Sequence, residues 1–197
     1  GTDQNAEFEL CCFITHRGTS SEAAIWRDRS RRLVVIACRG TSDIVDVTTD
    51  ANFIQTPLEQ GFKGQKSDDE RKVHSGFFAS ARAVSRRVKE LLVSATAGTP
   101  GEWELLVTGH SLGGALATLM ATELVGAVDV TRGFKEKEDA SLLGAAQRLF
   151  AGAKQAFPGG ELPKWRDVSL YTFGAPRVGN SAFAQYFEAL FAGREVF

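Results

Sequence analysis

The chain has 197 residues, enough for one α/β domain that buries roughly 70% of the surface its unfolded form exposes. With 43% hydrophobic and 24% charged residues it is ordinary for a globular protein, and its net charge of -1 gives no electrostatic reason to expect nucleic acid or an anionic membrane as partner. No apolar run approaches the ~20 residues of a membrane span, no signal-peptide core opens the chain, and three cysteines do not make a disulfide framework.

Cys11 and Cys12 lack metal-ligand spacing, which favours a reducing compartment. The chain starts at Gly1 and reads as an excised segment, so an absent targeting signal says little about the parent protein. Residues 23–26 and 33–38 are short apolar runs around the polar Asp28-Arg29-Ser30-Arg31, the pattern of an antiparallel hairpin. Cys38 ends the second run and reads as a small buried hydrophobe. Arg39-Gly40-Thr41-Ser42-Asp43 follows as a loop. The stretch through Phe62-Lys63-Gly64-Gln65 is turn-rich and is expected on the surface.

Phe77, Phe78, Ala81, Val84, Val88, Leu91 and Leu92 recur at helical spacing, with Arg82, Arg86, Arg87 and Lys89 on the other face. This predicts an amphipathic helix over about 75–95, stopped before Gly98 and Pro100. Residues 103–108 read as a buried strand and 112–125 as the helix behind it. Residues 168–173 form a further strand. After Gly174-Ala175-Pro176-Arg177-Val178-Gly179-Asn180 a helix is expected over 181–191, capped near Asn180 or Ser181. Alternating strands and helices with buried strand patterns predict a mostly parallel sheet flanked by helices.

Between the predicted strand and helix lies Thr108-Gly109-His110-Ser111-Leu112-Gly113-Gly114, a G-x-S-x-G elbow in its strand–turn–helix context. A serine hydroxyl is a weak nucleophile, so it must be held exposed and near a base. A tight turn exposes Ser111 and demands small residues two positions either side, where Gly109 and Gly113 stand. The same turn starts a helix at Leu112, whose free amide and helix dipole favour an anion and make half an oxyanion hole. Thr41, after the run 33–38 and Gly40, is the candidate for the other half, through its amide and hydroxyl.

Arg39-Gly40-Thr41-Ser42, Val73-His74-Ser75-Gly76-Phe77, residues 108–114 and Tyr171-Thr172-Phe173-Gly174-Ala175-Pro176-Arg177-Val178-Gly179-Asn180 occur in that order. Together they resemble the class 3 (fungal-type) lipases, of α/β-hydrolase fold, over about residues 33–191. The resemblance implies Ser111 as nucleophile, with Thr41 and the Leu112 amide as oxyanion hole. It implies a lid at about 42–49, although Asp43 and Asp46 make that stretch polar; a solvated loop anchored by Asp50 is the alternative. It also implies a catalytic aspartate and histidine after a strand that would begin at about Glu195-Val196-Phe197.

The only histidines are His16, His74 and His110, none C-terminal to Ser111. His110 adjoins Ser111 in a turn where neighbouring side chains diverge, and His74 reads as a structural hydrogen-bonding group. Asp167 lies at the N-terminal end of its strand, the wrong edge for chemistry. Asp129 and Asp139 read as solvated. Residues 131–166 are expected to form a helical insertion, with the mixed-charge run Lys135-Glu136-Lys137-Glu138-Asp139. Its apolar set of Leu142, Leu143, Ala146, Leu149, Phe150, Ala153 and Phe157 fits a helix packed on the domain or one meeting a lipid surface.

The expected protein is a single α/β-hydrolase domain over 1–197, lacking its C-terminal part. Its expected work is hydrolysis of an acylglycerol or polar glycerolipid ester through a serine acyl-enzyme, without metal or cofactor. Expected partners are the lipid ester and, transiently, a membrane or lipid-droplet surface, with no nucleic acid. A lipid-binding or scaffolding domain without turnover, and an acyltransferase, are the alternatives.

Overall fold

The computed structural model describes residues 7–40, 55–58, 71–132 and 161–197. Thr41, the segment 42–49, Asp50, residues 62–65, Asp139, the charged run 135–139 and the apolar set of 142–157 lie outside these residues.

Strands β1 (Glu9–His16), β2 (Ser21–Asp28) and β3 (Leu33–Cys38) form an antiparallel meander, β2 pairing with β1 on one side and β3 on the other. A short pair, β4 (Gln55–Pro57) and β5 (Lys72–His74), forms a separate two-stranded sheet. Helix α1 (Ser75–Thr96) leads to β6 (Trp103–His110), and α2 (Leu112–Arg132) follows. Strand β7 (Trp165–Phe173) and helix α3 (Ser181–Leu190) complete the described elements. The main sheet has the order β1-β2-β3-β6-β7, with β3, β6 and β7 parallel.

Strand periodicity explains which side chains are covered. Ile25, Ile36, Val107 and Leu170 are paired in one row across four strands and are all almost fully buried. Helix α1 packs on β1 and β2, helix α2 on β3, β6 and β7, and the helices touch each other, so both lie on that face. Each such side chain contributes about 1.5–3 kcal/mol of transfer free energy. Arg27 fastens the outer strand to α1. Its Nε and Nη2 donate to the two Glu9 carboxylate oxygens at 2.9 and 3.0 Å, and its Nη1 donates to the Ala95 carbonyl at 2.8 Å.

Both ends of the expected 131–166 insertion fall inside regular elements. α2 continues through Arg132, and β7 begins at Trp165, three residues before the predicted strand. Arg166 and Asp167 interrupt the apolar run, but Trp165 is buried opposite Trp103 and extends the ladder. At the other end, Val196 pairs in parallel with Leu170. The Leu170 amide donates to the Glu195 carbonyl and the Phe197 amide to the Leu170 carbonyl, each at 2.9 Å. A new strand position thus begins beside β7 at residues 195–197, where the expected strand falls.

Candidate active site

Ser111 stands alone between the end of β6 and the start of α2, at the C-terminal edge of the parallel strands. Its backbone has φ +54°, the left-handed region that costs a non-glycine residue roughly 1–2 kcal/mol. Hydrogen bonds hold it there. The Ser111 amide donates to the Phe173 carbonyl at 2.8 Å, and the Ser111 carbonyl accepts from the Gly114 and Ala115 amides at 2.9 and 3.3 Å.

The two flanking glycines are required by close approach. A Cβ on Gly109 would lie 2.2 Å from the Gly113 carbonyl oxygen, and one on Gly113 would lie 2.3 Å from the Cys38 carbonyl oxygen. The second contact matters for chemistry, because it presses the end of β3 onto the first turn of α2. Gly40 then passes beside the elbow: a Cβ there would lie 3.7 Å from the Ser111 Cβ. The chain therefore leaves β3 against Ser111, with Thr41 itself outside the described residues. The Leu112 side chain is buried in the core, so this residue faces the site only through its amide, the first of α2.

Two of the three histidines are hydrogen-bonded elsewhere, and the third points away from Ser111. His110 is exposed, with Nε2 3.9 Å from where a Cβ of Gly174 would stand, on the β7 side; the Ser111 Cβ leans toward Gly40 on the β3 side. His74 is the N-cap of α1: its Nδ1 accepts from the Phe77 amide at 3.4 Å and its ring stacks on Phe77 at 4.1 Å. His16 pairs its Nδ1 with Thr19 Oγ1 at 2.9 Å on β1, three strand spacings (roughly 14 Å) from β6. Asp167 accepts from the Val168 amide at 2.8 Å near the start of β7, at the edge opposite Ser111.

Two contributors carry no side-chain signal that sequence reasoning can use. The Phe173 carbonyl anchors the Ser111 amide, and the Cys38 carbonyl sets the seat of Gly113. Cys38 itself is buried, and burial pushes its thiol up to about 12, so it packs as a neutral hydrophobe behind the site. Phe173 also presents its ring to solvent at 58% exposure, giving the site an apolar rim.

Residues 35–196 match the family model described as Lipase (class 3). The chain is 29% identical over 171 residues to a secreted mono- and diacylglycerol lipase of Fusarium solani, covering 85% of this chain and 37% of that protein. It is 34% identical over 108 residues to mouse diacylglycerol lipase-beta, covering 54% of this chain and 16% of that protein. In structure it is similar to a mutant form of the Penicillium cyclopium lipase MDLA, with TM-score 0.65 and 26% identity, over 98% of this chain and 55% of that one. Lipase II of Rhizopus niveus gives TM-score 0.63 at 23% identity, over 96% of this chain and 56% of that one. The chain thus spans well under half the length of these curated relatives and about half of the solved lipases. The mixed sheet, the helices on it and the elbow are those of an α/β-hydrolase core, and the chain belongs to the class 3 lipase family.

Proposed function

We propose that the whole protein hydrolyses a carboxylic ester of an acylglycerol or polar glycerolipid through an acyl-enzyme on Ser111. The observation that carries this reading is the strained Ser111 held on the Phe173 carbonyl, with the end of β3 pressed against the same turn. Ser111 Oγ attacks the ester carbonyl, and the Leu112 amide and Thr41 stabilise the oxyanion. The alcohol leaves with a proton, and water releases the acyl group. The names of the Fusarium and mouse relatives support a glycerolipid ester as substrate.

The mechanism needs a base that these 197 residues do not place, since each histidine among them is engaged or turned away. An aspartate-oriented histidine from further chain meets that need, and the strand position opening at 195–197 supports such an arrangement. The exposed Phe173 side chain supports contact with a lipid surface.

The test is a fluorophosphonate label on the full-length protein, read by peptide mass. Modification of Ser111, with diacylglycerol hydrolysis lost in Ser111→Ala, is expected. Hydrolysis surviving in that variant would overturn the assignment.

A further inference from the structure

The end of β3 is held from two sides. Strand β3 pairs with β6 as far as Cys38 and Gly109. One residue on, β2 takes the chain: the Arg39 amide donates to the Glu22 carbonyl at 3.0 Å, and Arg39 Nη1 donates to Glu22 Oε2 at 2.5 Å. Glu22 thus grips Arg39 through both backbone and side chain.

On its other side Arg39 meets the elbow. A Cβ on Gly113 would lie 2.8 Å from the Arg39 carbonyl carbon, so this carbonyl group seats against the first turn of α2. A Cβ on the next residue, Gly40, would lie 2.7 Å from the His110 carbonyl oxygen. With backbone packed on backbone there is no slack, and a shift of Arg39 carries Gly40 relative to Ser111. The Arg39 side chain is 63% exposed and that of Glu22 is 19% exposed. A pair this open to water adds little to global stability, because screening weakens it and ordering both side chains costs entropy. Its larger effect falls on local geometry.

We propose that Glu22 and Arg39 are positioning residues, whose ion pair fixes where the chain leaves β3 beside Ser111. The consequence for turnover rests on the ester-hydrolase reading above, in which the oxyanion forms at this turn. The placement of the chain does not rest on it, so the two fail separately.

The experiment compares the full-length protein with Glu22→Gln, Arg39→Gln and the exchanged pair Glu22→Arg with Arg39→Glu. Each single variant is expected to lower kcat on diacylglycerol about tenfold, with KM and melting unchanged, since a misplacement of about 1 Å can cost about 10²-fold. The exchanged pair is expected to recover most of that loss. Arg39→Lys keeps the charge and takes its place if the exchanged pair does not fold, with partial recovery expected. The Gly40 and Ser111 amide signals, followed by NMR in the same proteins, are expected to move in the single variants and return in the exchanged one. Unmoved signals or wild-type kcat in both folded single variants would overturn the proposal, as would a loss that restored pairing does not recover. A full-length protein that lacks hydrolysis, but whose Gly40 and Ser111 signals move and return, sinks the ester-hydrolase reading and keeps the positioning role.

Discussion

Replacing Ser111 with glycine separates the strain of the elbow from its chemistry. At φ +54° a residue bearing a Cβ costs roughly 1–2 kcal/mol, which glycine escapes. Against this, glycine widens the unfolded ensemble by about 0.4–1 kcal/mol relative to alanine. Alanine at 111 removes the hydroxyl but keeps the Cβ and the strain, so it is the proper reference. The Ser111 amide and carbonyl keep their bonds to Phe173, Gly114 and Ala115 in both variants. Ser111→Gly is therefore expected to be more stable than Ser111→Ala by about 0.8 kcal/mol, the middle of a difference that runs from about 0 to 1.6. For a chain of this size that is roughly 1–4 °C in melting temperature. Urea denaturation of the two variants, with equal m-values, measures it directly. A glycine variant less stable than the alanine one would show that the turn is unstrained and would remove the argument that the fold holds Ser111 against its own preference.

Further outcomes follow from the same geometry. Gly113→Ala puts a Cβ 2.3 Å from the Cys38 carbonyl oxygen, more than 1 Å inside contact distance, with backbone on both sides. It is expected to cost about 1–3 kcal/mol by overpacking and, on the proposed ester-hydrolase reading of the full-length protein, about 10²-fold in turnover by displacing the end of β3; melting and kcat unchanged would refute this. Iodoacetamide at pH 8 is expected to leave Cys38 unmodified until the chain unfolds, because burial holds its thiol near 12, and peptide mapping reads the order of modification. Hydrogen bonds from Ser30 and the Arg31 amide hold the Asp28 carboxyl below its ordinary 3.8. The unfolded chain therefore binds the proton more readily, and the stability Asp28 confers is full above that ordinary value and lost as pH falls through the lowered one. Asp28→Asn is expected to flatten the acid limb of a stability-versus-pH curve, and an unchanged limb would refute the role.

Elements with strong local patterns were legible. The β2–β3 hairpin, α1, β6 and α3 fall close to where apolar spacing and caps put them, and Asn180 caps α3 through Oδ1 on the Phe183 amide at 3.0 Å. Strand β1 was not anticipated. Its run Glu-Leu-Cys-Cys-Phe-Ile-Thr-His carries a bulge between Leu10 and Cys12, and as an edge strand it leaves Leu10 and Phe13 exposed, so no clean alternation marks it. The β4–β5 pair is too short to show a period, and its ladder joins residues far apart in the chain. The start of β7 was hidden because its buried anchor, Trp165, is followed by two charged residues.

The sequence by itself determined the candidate reaction centre: a serine between a strand and a helix, flanked by residues small enough for a tight turn. It also determined that none of its histidines sits in the usual order after that serine. Only the tertiary structure decided what surrounds the serine. The Phe173 carbonyl on its amide, the Cys38 carbonyl on Gly113 and the docking of residues 178–180 onto β5 are backbone contacts between distant segments. Such contacts depend on strand order and register, and every residue carries the same backbone groups, so no side-chain pattern encodes them.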